Sequence, residues 1–386
     1  MPDNNVYPRF SAVEFARRYA ALRATMQKAG LSALIVSGTV SSYNEIAYLS
    51  NFLVTREAML VFPLEGDPAL FVQMYNHVPT ARQMACISDV RWGGPDTSVT
   101  AAGNVLERGF GESRIGLVGA ISYKQYETLR RLLPGAALVD FMPQFIQLRL
   151  IKSDEEIEFL RKGAQFSDLA MQALENEARP GITEHQLTAI VEKAYLGLGG
   201  RTHIHYMATT SMRNPAVCVP AQHQSDRVIE NGDVLLTEIS AHYHSYPGQI
   251  LRPFAIGTPP TPQYRHMYDV ASEAFHRIAS VIRPGATIDD LLDAAEYIHS
   301  AGFTIYDDLL HGFGGGYLPP VLRTRRTSPQ PPAPFIFQEN MTLVIQPNVI
   351  TADERMGVQV GELVLITHDG IESLHHYPLR FVLCAQ

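Results

Sequence analysis

The sequence predicts a mixed α/β protein of two domains, and three observations lead there. The first 150 residues alternate helical and strand patterns. A strong helix-start signal at residues 149–156 then opens a segment of different style, in which long helices are interleaved with hairpins. That second segment carries a doubled helix-start motif, the mark of an internal repeat. A length of 386 residues also exceeds the roughly 100–200 residues of an ordinary domain, so domains over 1–150 and 151–386 are expected.

Within the first segment, residues 11–29 place apolar side chains at helical spacing and stop at Gly30. Residues 31–38 (LSALIVSG) read as a buried strand, and 58–72 (AMLVFPLEGDPALFV) as a hairpin turning at Glu65, Gly66 and Asp67. RIGLVG at 114–119 is a further strand, followed by a helix at 122–133. At the boundary Ser153 is an N-cap with Glu156 three residues on, a capping box that starts a long amphipathic helix. The repeat consists of Arg179-Pro180-Gly181-Ile182-Thr183 and Arg283-Pro284-Gly285-Ala286-Thr287, each Thr followed three residues later by Gln186 or Asp290. A strand and hairpin follow each copy. The sole tryptophan, Trp92, is expected in a core or an interface.

Composition removes several functions. Hydrophobic residues make up 46% and charged residues 18%, enough for large cores and too apolar for a disordered chain. The formal net charge of -8 leaves no general basic surface to displace phosphate counterions, so no nucleic-acid partner is expected. Cys86, Cys218 and Cys384 are far apart and form no CxxC, which predicts neither a disulfide scaffold nor a cysteine–zinc site. The N-terminal residues lack the apolar core of a secretion signal, and no run approaches the roughly 18 apolar residues of a membrane helix. A soluble, cytoplasmic protein with no membrane partner is the expectation.

The landmarks GLSALIVSG, IAYLSNF and LVFPLEGDPALFV, the junction LRLIKSDEEIEFLRKGAQFSDLAM, and then ENGDVLLTEIS, HGFGGG and GELVLITHDG resemble, in order, the creatinase/aminopeptidase P/prolidase family. This is the peptidase M24 or pita-bread family, and the resemblance covers nearly the whole chain. It implies an N-terminal creatinase-type α/β domain and a C-terminal pseudo-twofold domain with a curved antiparallel sheet. It also implies an active site in the concavity, a small-molecule substrate and a homodimer. By the same resemblance, Phe52 lies where the N-terminal domain of a partner subunit approaches the active site.

Peptidases of this family hold two divalent metals with two Asp, one His and two Glu. By resemblance those positions fall on Glu238, Gln249, His311, Gln346 and Gly361, with Glu362 beside the last. Only the His is kept, and one of four carboxylates remains. Two divalent cations bring a charge of +4, and amides are poor ligands for hard cations. Holding such ions without counter-charge is costly, so no dinuclear centre and no cofactor are expected. A rearranged mononuclear site stays open, since Glu238, Ser240, His242 and His244 would share one face of a regular strand. A turn near 243–247 is expected to break that alternation.

Metal-free members such as creatinase hydrolyse a C–N bond in a small guanidino or amide compound. His311, in a glycine-rich turn, is then the proton shuttle, and Glu238 its partner or an anchor. Gln249 and Gln346 offer donors and acceptors to a polar substrate, and Glu362 is counted with them. His223 is a candidate second proton carrier, set against its reading as a solvent-exposed loop His because the family position falls on Ala221. Of His203 and His205 one faces the pocket, with His205 taken as the substrate contact. Arg323, in a Pro-rich loop with Arg325 and Arg326, has the spacing of a carboxylate clamp. Two alternatives stand beside this: a metal-dependent Xaa-Pro peptidase-like enzyme or lyase of the same fold, and a non-catalytic binding module. Hydrolysis, elimination and decarboxylation can each run on such residues.

Overall fold

A computed structural model describes residues 7–384. The chain separates into two compact units, Met1–Arg149 and Leu150–Gln386. In the first unit the helix Ala12–Lys28 is capped by Ser11, whose Oγ accepts from Glu14 N, and the chain leaves it through Gly30 at φ 65°. The sheet runs, edge to edge, Asp89–Trp92, Ala69–Val72, Glu57–Pro63, Ala33–Thr39, Arg114–Gly119 and Ala137–Asp140. Ala33–Thr39 pairs antiparallel with Glu57–Pro63 and parallel with Arg114–Gly119, so the sheet is mixed. Its central strands are buried on both faces, which is why they read as continuous apolar runs. Phe52 is fully buried in this unit's own core, so its ring is not presented to a partner's site. Trp92 sits on the edge strand, half exposed and edge-on to Tyr75, rather than in the core.

The second unit realises the repeat down to its hydrogen bonds. Thr183 and Thr287 each close a capping box, with Gln186 and Asp290 respectively. Gly181 and Gly285 precede them at φ 89° and 88°, and their N–H groups donate to Ile229 and Phe337. Isolated bridges Thr183–Val228 and Thr287–Ile336 complete the correspondence. The two motifs start the helices Glu184–Tyr195 and Ile288–Ser300. Each follows a longer helix, Asp154–Glu177 or Pro262–Val281.

These helices back a ten-stranded sheet. Its central strands Thr342–Ile345, Gly361–Ile366, Tyr246–Leu251 and Asp233–Tyr243 are antiparallel neighbours. The pair Phe254–Ile256 and Val382–Cys384 is parallel, so the sheet is mixed at that edge rather than wholly antiparallel. Period-two alternation sorts the strand Asp233–Tyr243 into two faces. Leu235, Ile239 and Ala241 join a core with Met171, Leu174, Leu187 and Val191 of the helices. Burying each aliphatic side chain contributes on the order of 2 kcal/mol. Glu238, Ser240 and His242 are thereby turned to the opposite face. Among the described residues no helix is long and apolar enough to cross a membrane.

Candidate active site

The polar face of the sheet gathers residues from four strands. Tyr206 lies opposite Glu238, and Ser240 opposite Gln249, so their side chains share that face. Gln249 Nε2 donates to Glu238 Oε1 at 3.1 Å and to Gln346 Oε1 at 2.7 Å. Gln346 Nε2 in turn donates to Asp308 Oδ1 at 3.1 Å. Asn348, fully buried, shapes the approach to Asp308: its Oδ1 accepts from the N–H groups of Tyr306 and Asp307, and its Nδ2 donates to the Asp308 carbonyl.

His311 enters from the strand Leu310–Phe313, where a register shift between His311 and Gly312 re-aims the side chain. Its Nδ1 lies 3.1 Å from the Gly312 carbonyl, which can only accept, so the proton of the neutral ring sits on Nδ1. The ring stacks on Tyr317 with centroids 3.8 Å apart and an interplanar angle of 18°, and Phe313 meets it edge-on at 5.1 Å. The glycines after it serve the backbone. A Cβ on Gly312 would lie 2.4 Å from the Pro319 carbonyl oxygen, so the close approach there is to the neighbouring strand.

Burial sets the protonation states. Glu238 is pushed up to about 8, first by burial and then by the charges of Asp307 and Asp308. Asp308 is raised by burial and by Asp307. His311 is pushed down to about 4 by burial, against smaller contributions from the Gly312 carbonyl, Asp307 and the nearby Gln346 side chain. At neutral pH Glu238 therefore keeps its proton and His311 stays neutral, two groups driven apart by one environment. Four buried polar atoms here have no hydrogen-bond partner: His311 Nε2, Gln249 Oε1, Ser240 Oγ and Asp308 Oδ2. Unpaired polar atoms at this density mark a place for ordered water or a polar ligand.

The structure brings together four of the residues singled out in the sequence, Glu238, Gln249, His311 and Gln346. Arg323 borders them: its Nη2 donates to the Tyr306 carbonyl at 2.7 Å, and its charge opposes the rise at Asp308. Arg325 and Arg326 are spent on Asp289, Asp293 and Glu296 at the surface.

Three expectations are corrected. His205 lies opposite Ile239, on the core face, where its Nε2 meets Tyr195 Oη at 2.8 Å. A bulge between Thr202 and Ile204 instead puts His203 on the polar side, stacked on His242 at 4.4 Å and pushed down to about 4 by burial. Glu362 lies opposite Ile250 and Ile345, one residue out of phase with Gln249 and Gln346, and is ion-paired to fully buried Arg252. His223 is exposed in the loop before the strand Asp233–Tyr243, and among the described residues it has no hydrogen bond to the cluster. The alternation through His244 stops as expected, because Tyr243 and Tyr246 close a hairpin with His244 at φ 57°.

Asp307, Asp308, Tyr317 and Asn348 were missed. Two acids three and four residues before His311 were a readable signal for the first pair.

A dinuclear metal centre does not fit these residues. The amides of Gln249 and Gln346 are bonded to each other and to acids, and position 361 carries no side chain. A Cβ there would lie 2.3 Å from the Ile345 carbonyl oxygen and 2.8 Å from Gln346 Cα. Among the described residues no group of three or more His, Cys, Asp or Glu could hold a metal ion.

Comparison with known proteins agrees with the architecture. A creatinase of a Bacillus species is 24% identical over 97% of this chain and 93% of its own length. An Xaa-Pro dipeptidase of Pyrococcus furiosus is 28% identical over 67% of this chain and 73% of its own. The crystal structure of an X-Pro aminopeptidase from Thermotoga maritima superposes with a TM-score of 0.82, at 21% identity, over 95% of this chain and 99% of that one. The model of the creatinase/prolidase N-terminal domain matches residues 18–151, and that of metallopeptidase family M24 matches residues 158–368. With more than half of its length matched by the second model alone, the chain belongs to family M24, as a hydrolase of that family.

Proposed function

We propose that this chain hydrolyses a C–N bond of a small polar guanidino, amide or amino-acid-like compound without a bound metal, with His311 and Glu238 as its acid–base pair. One observation carries the reading: His311 Nε2 is a fully buried acceptor without a partner, on a ring fixed through Nδ1 and by Tyr317. In that tautomer Nε2 takes a proton from the attacking water. Glu238, protonated at neutral pH, gives a proton to the nitrogen that leaves. Gln249 and Gln346 orient the substrate through their amides, and Arg323 meets an anionic substrate group at the edge. Aligned relatives include one named creatinase, which supports this class.

His311→Gln keeps the volume and polarity but lacks an imidazole, so turnover should fall by about two to four orders of magnitude with the fold intact. Undiminished turnover would overturn the role. A second reading, a metal-dependent peptidase, is favoured by the family description and by the Xaa-Pro dipeptidase relative. Elemental analysis of active protein prepared without chelator separates the two: near-stoichiometric zinc, manganese or iron supports the second reading. The proposal extends to a homodimer in the cytoplasm, which sedimentation velocity and cell fractionation test.

A further inference from the structure

Gln359 lies outside the acid–base machinery and has no assigned role. It is 2% exposed, yet neither its Nε2 nor its Oε1 has a hydrogen-bond partner. Its register partner is Asn348, the residue that holds the Asp307–Asp308 backbone, so the two side chains share a face. Two residues on, Gly361 comes against Gln346 so closely that no Cβ fits. Gln359 therefore sits beside Asn348 in the two-stranded sheet Asn348–Ile350 and Gly357–Gln359, next to the polar line Gln249–Gln346 and Asn348 that meets at Asp308. A buried amide with all its groups unpaired costs about 1–3 kcal/mol per group, unless a ligand satisfies it.

We propose that the unpaired groups of Gln249, Gln359 and Ser240 receive a neutral planar carboxamide or ureido group of the substrate, in preference to a guanidinium. This rests on the hydrolase reading above and narrows its substrate class. Donor and acceptor counting carries it. Gln249 Oε1 and Gln359 Oε1 call for donors on the ligand, whereas Gln359 Nε2 calls for an acceptor. A guanidinium has five N–H donors and no acceptor, so it leaves Gln359 Nε2 unpaired. A ureido group has both a carbonyl and N–H groups. Charge points the same way, because burying a cation requires counter-charge and the three residues are uncharged amides or a hydroxyl. At neutral pH the acid beside them, Glu238, is protonated. Asp307 and Arg323, both half-buried at the edge, oppose each other in sign.

The test is titration calorimetry with a matched pair, 4-ureidobutyrate and 4-guanidinobutyrate, which share length and carboxylate and differ in the charge of the planar group. The ureido compound should bind about tenfold tighter or better. Gln359→Leu should abolish that preference, and Gln359→Glu, checked for an unchanged circular dichroism spectrum, should turn it toward the guanidino compound. Equal or tighter binding of the guanidino compound by the unmodified protein overturns the proposal, as does no binding of the ureido compound. Selective binding with no hydrolysis of any ureido or carboxamide compound would leave this inference standing and sink the hydrolase reading. Hydrolysis confined to guanidino compounds would do the reverse.

Discussion

Gln249, on the strand Tyr246–Leu251, and Gln346, just past the end of the strand Thr342–Ile345, hold each other at 2.7 Å although those strands are not hydrogen-bonded neighbours, at positions where the family resemblance implies metal-binding carboxylates. The same Gln249 nitrogen also reaches Glu238, so one side chain joins the acid to the amide chain. Gln249→Leu strips Gln346 Oε1 and Glu238 Oε1 of their shared donor in a buried setting. It should cost about 1–3 kcal/mol of stability by urea denaturation, with no change in m-value.

Tyr317 forms one wall of the His311 ring and is itself half exposed. If stacking is its contribution, Tyr317→Phe should retain turnover to within a few-fold, while Tyr317→Ala should lower kcat more than it raises KM. A loss in Tyr317→Phe as large as in Tyr317→Ala would assign the work to the hydroxyl. Steady-state kinetics of the two variants decide this.

Much of this arrangement was legible in the chain, for physical reasons. The capping boxes at Ser153, Thr183 and Thr287 are local, so a residue and its third neighbour suffice to read them. His311 and Glu238 stood out because each sits in a landmark of known order. The faces of His205 and Glu362 were not legible, because strand phase depends on pairing register and on one bulge. A shift of one residue exchanges the two faces. Trp92 lies outside the core, because a large apolar side chain need not be inside when its strand is an edge.

Glu362 and Arg252 supply a prediction that separates structure from binding. The pair is buried, and Arg252 also donates to the carbonyls of Gly361, Pro378 and Tyr377. Glu362→Gln should destabilise the second unit by about 3–5 kcal/mol, the range for breaking a buried pair, while KM of the surviving folded enzyme stays unchanged. A raised KM at wild-type stability would restore Glu362 to the substrate.

Gly361 gives a steric prediction. With a Cβ placed 2.3 Å from one backbone oxygen and 2.8 Å from Gln346 Cα, Gly361→Ala must move backbone, and the destabilisation should be about 1–3 kcal/mol or more. Gly361→Glu should be worse still and should not gain tight manganese or zinc binding by calorimetry. Tight, stoichiometric metal uptake by a folded Gly361→Glu protein would contradict the packing described.

The buried titratable groups predict a pH dependence with opposing limbs. His311 has a folded pKa of about 4 against an ordinary value of 6.5, so the unfolded chain binds more protons between those values. Its contribution is intact above about pH 6.5 and is lost as pH falls toward 4. Two and a half units correspond to at most about 3 kcal/mol. His203 and His205, also lowered to about 4, act in the same direction. Glu238 works oppositely: its folded value of about 8 exceeds the ordinary 4.5, so its contribution is present below 4.5 and is lost as pH rises through 8. Unfolding free energies from urea titrations between pH 4 and 9 should therefore show two separable differences. Relative to His311→Asn the unmodified protein should lose stability on the acid side, and relative to Glu238→Gln it should lose stability on the alkaline side. If the His311→Asn difference were flat from pH 4 to 6.5, the ring would not be held neutral by burial, and the acid–base assignment would lose its base.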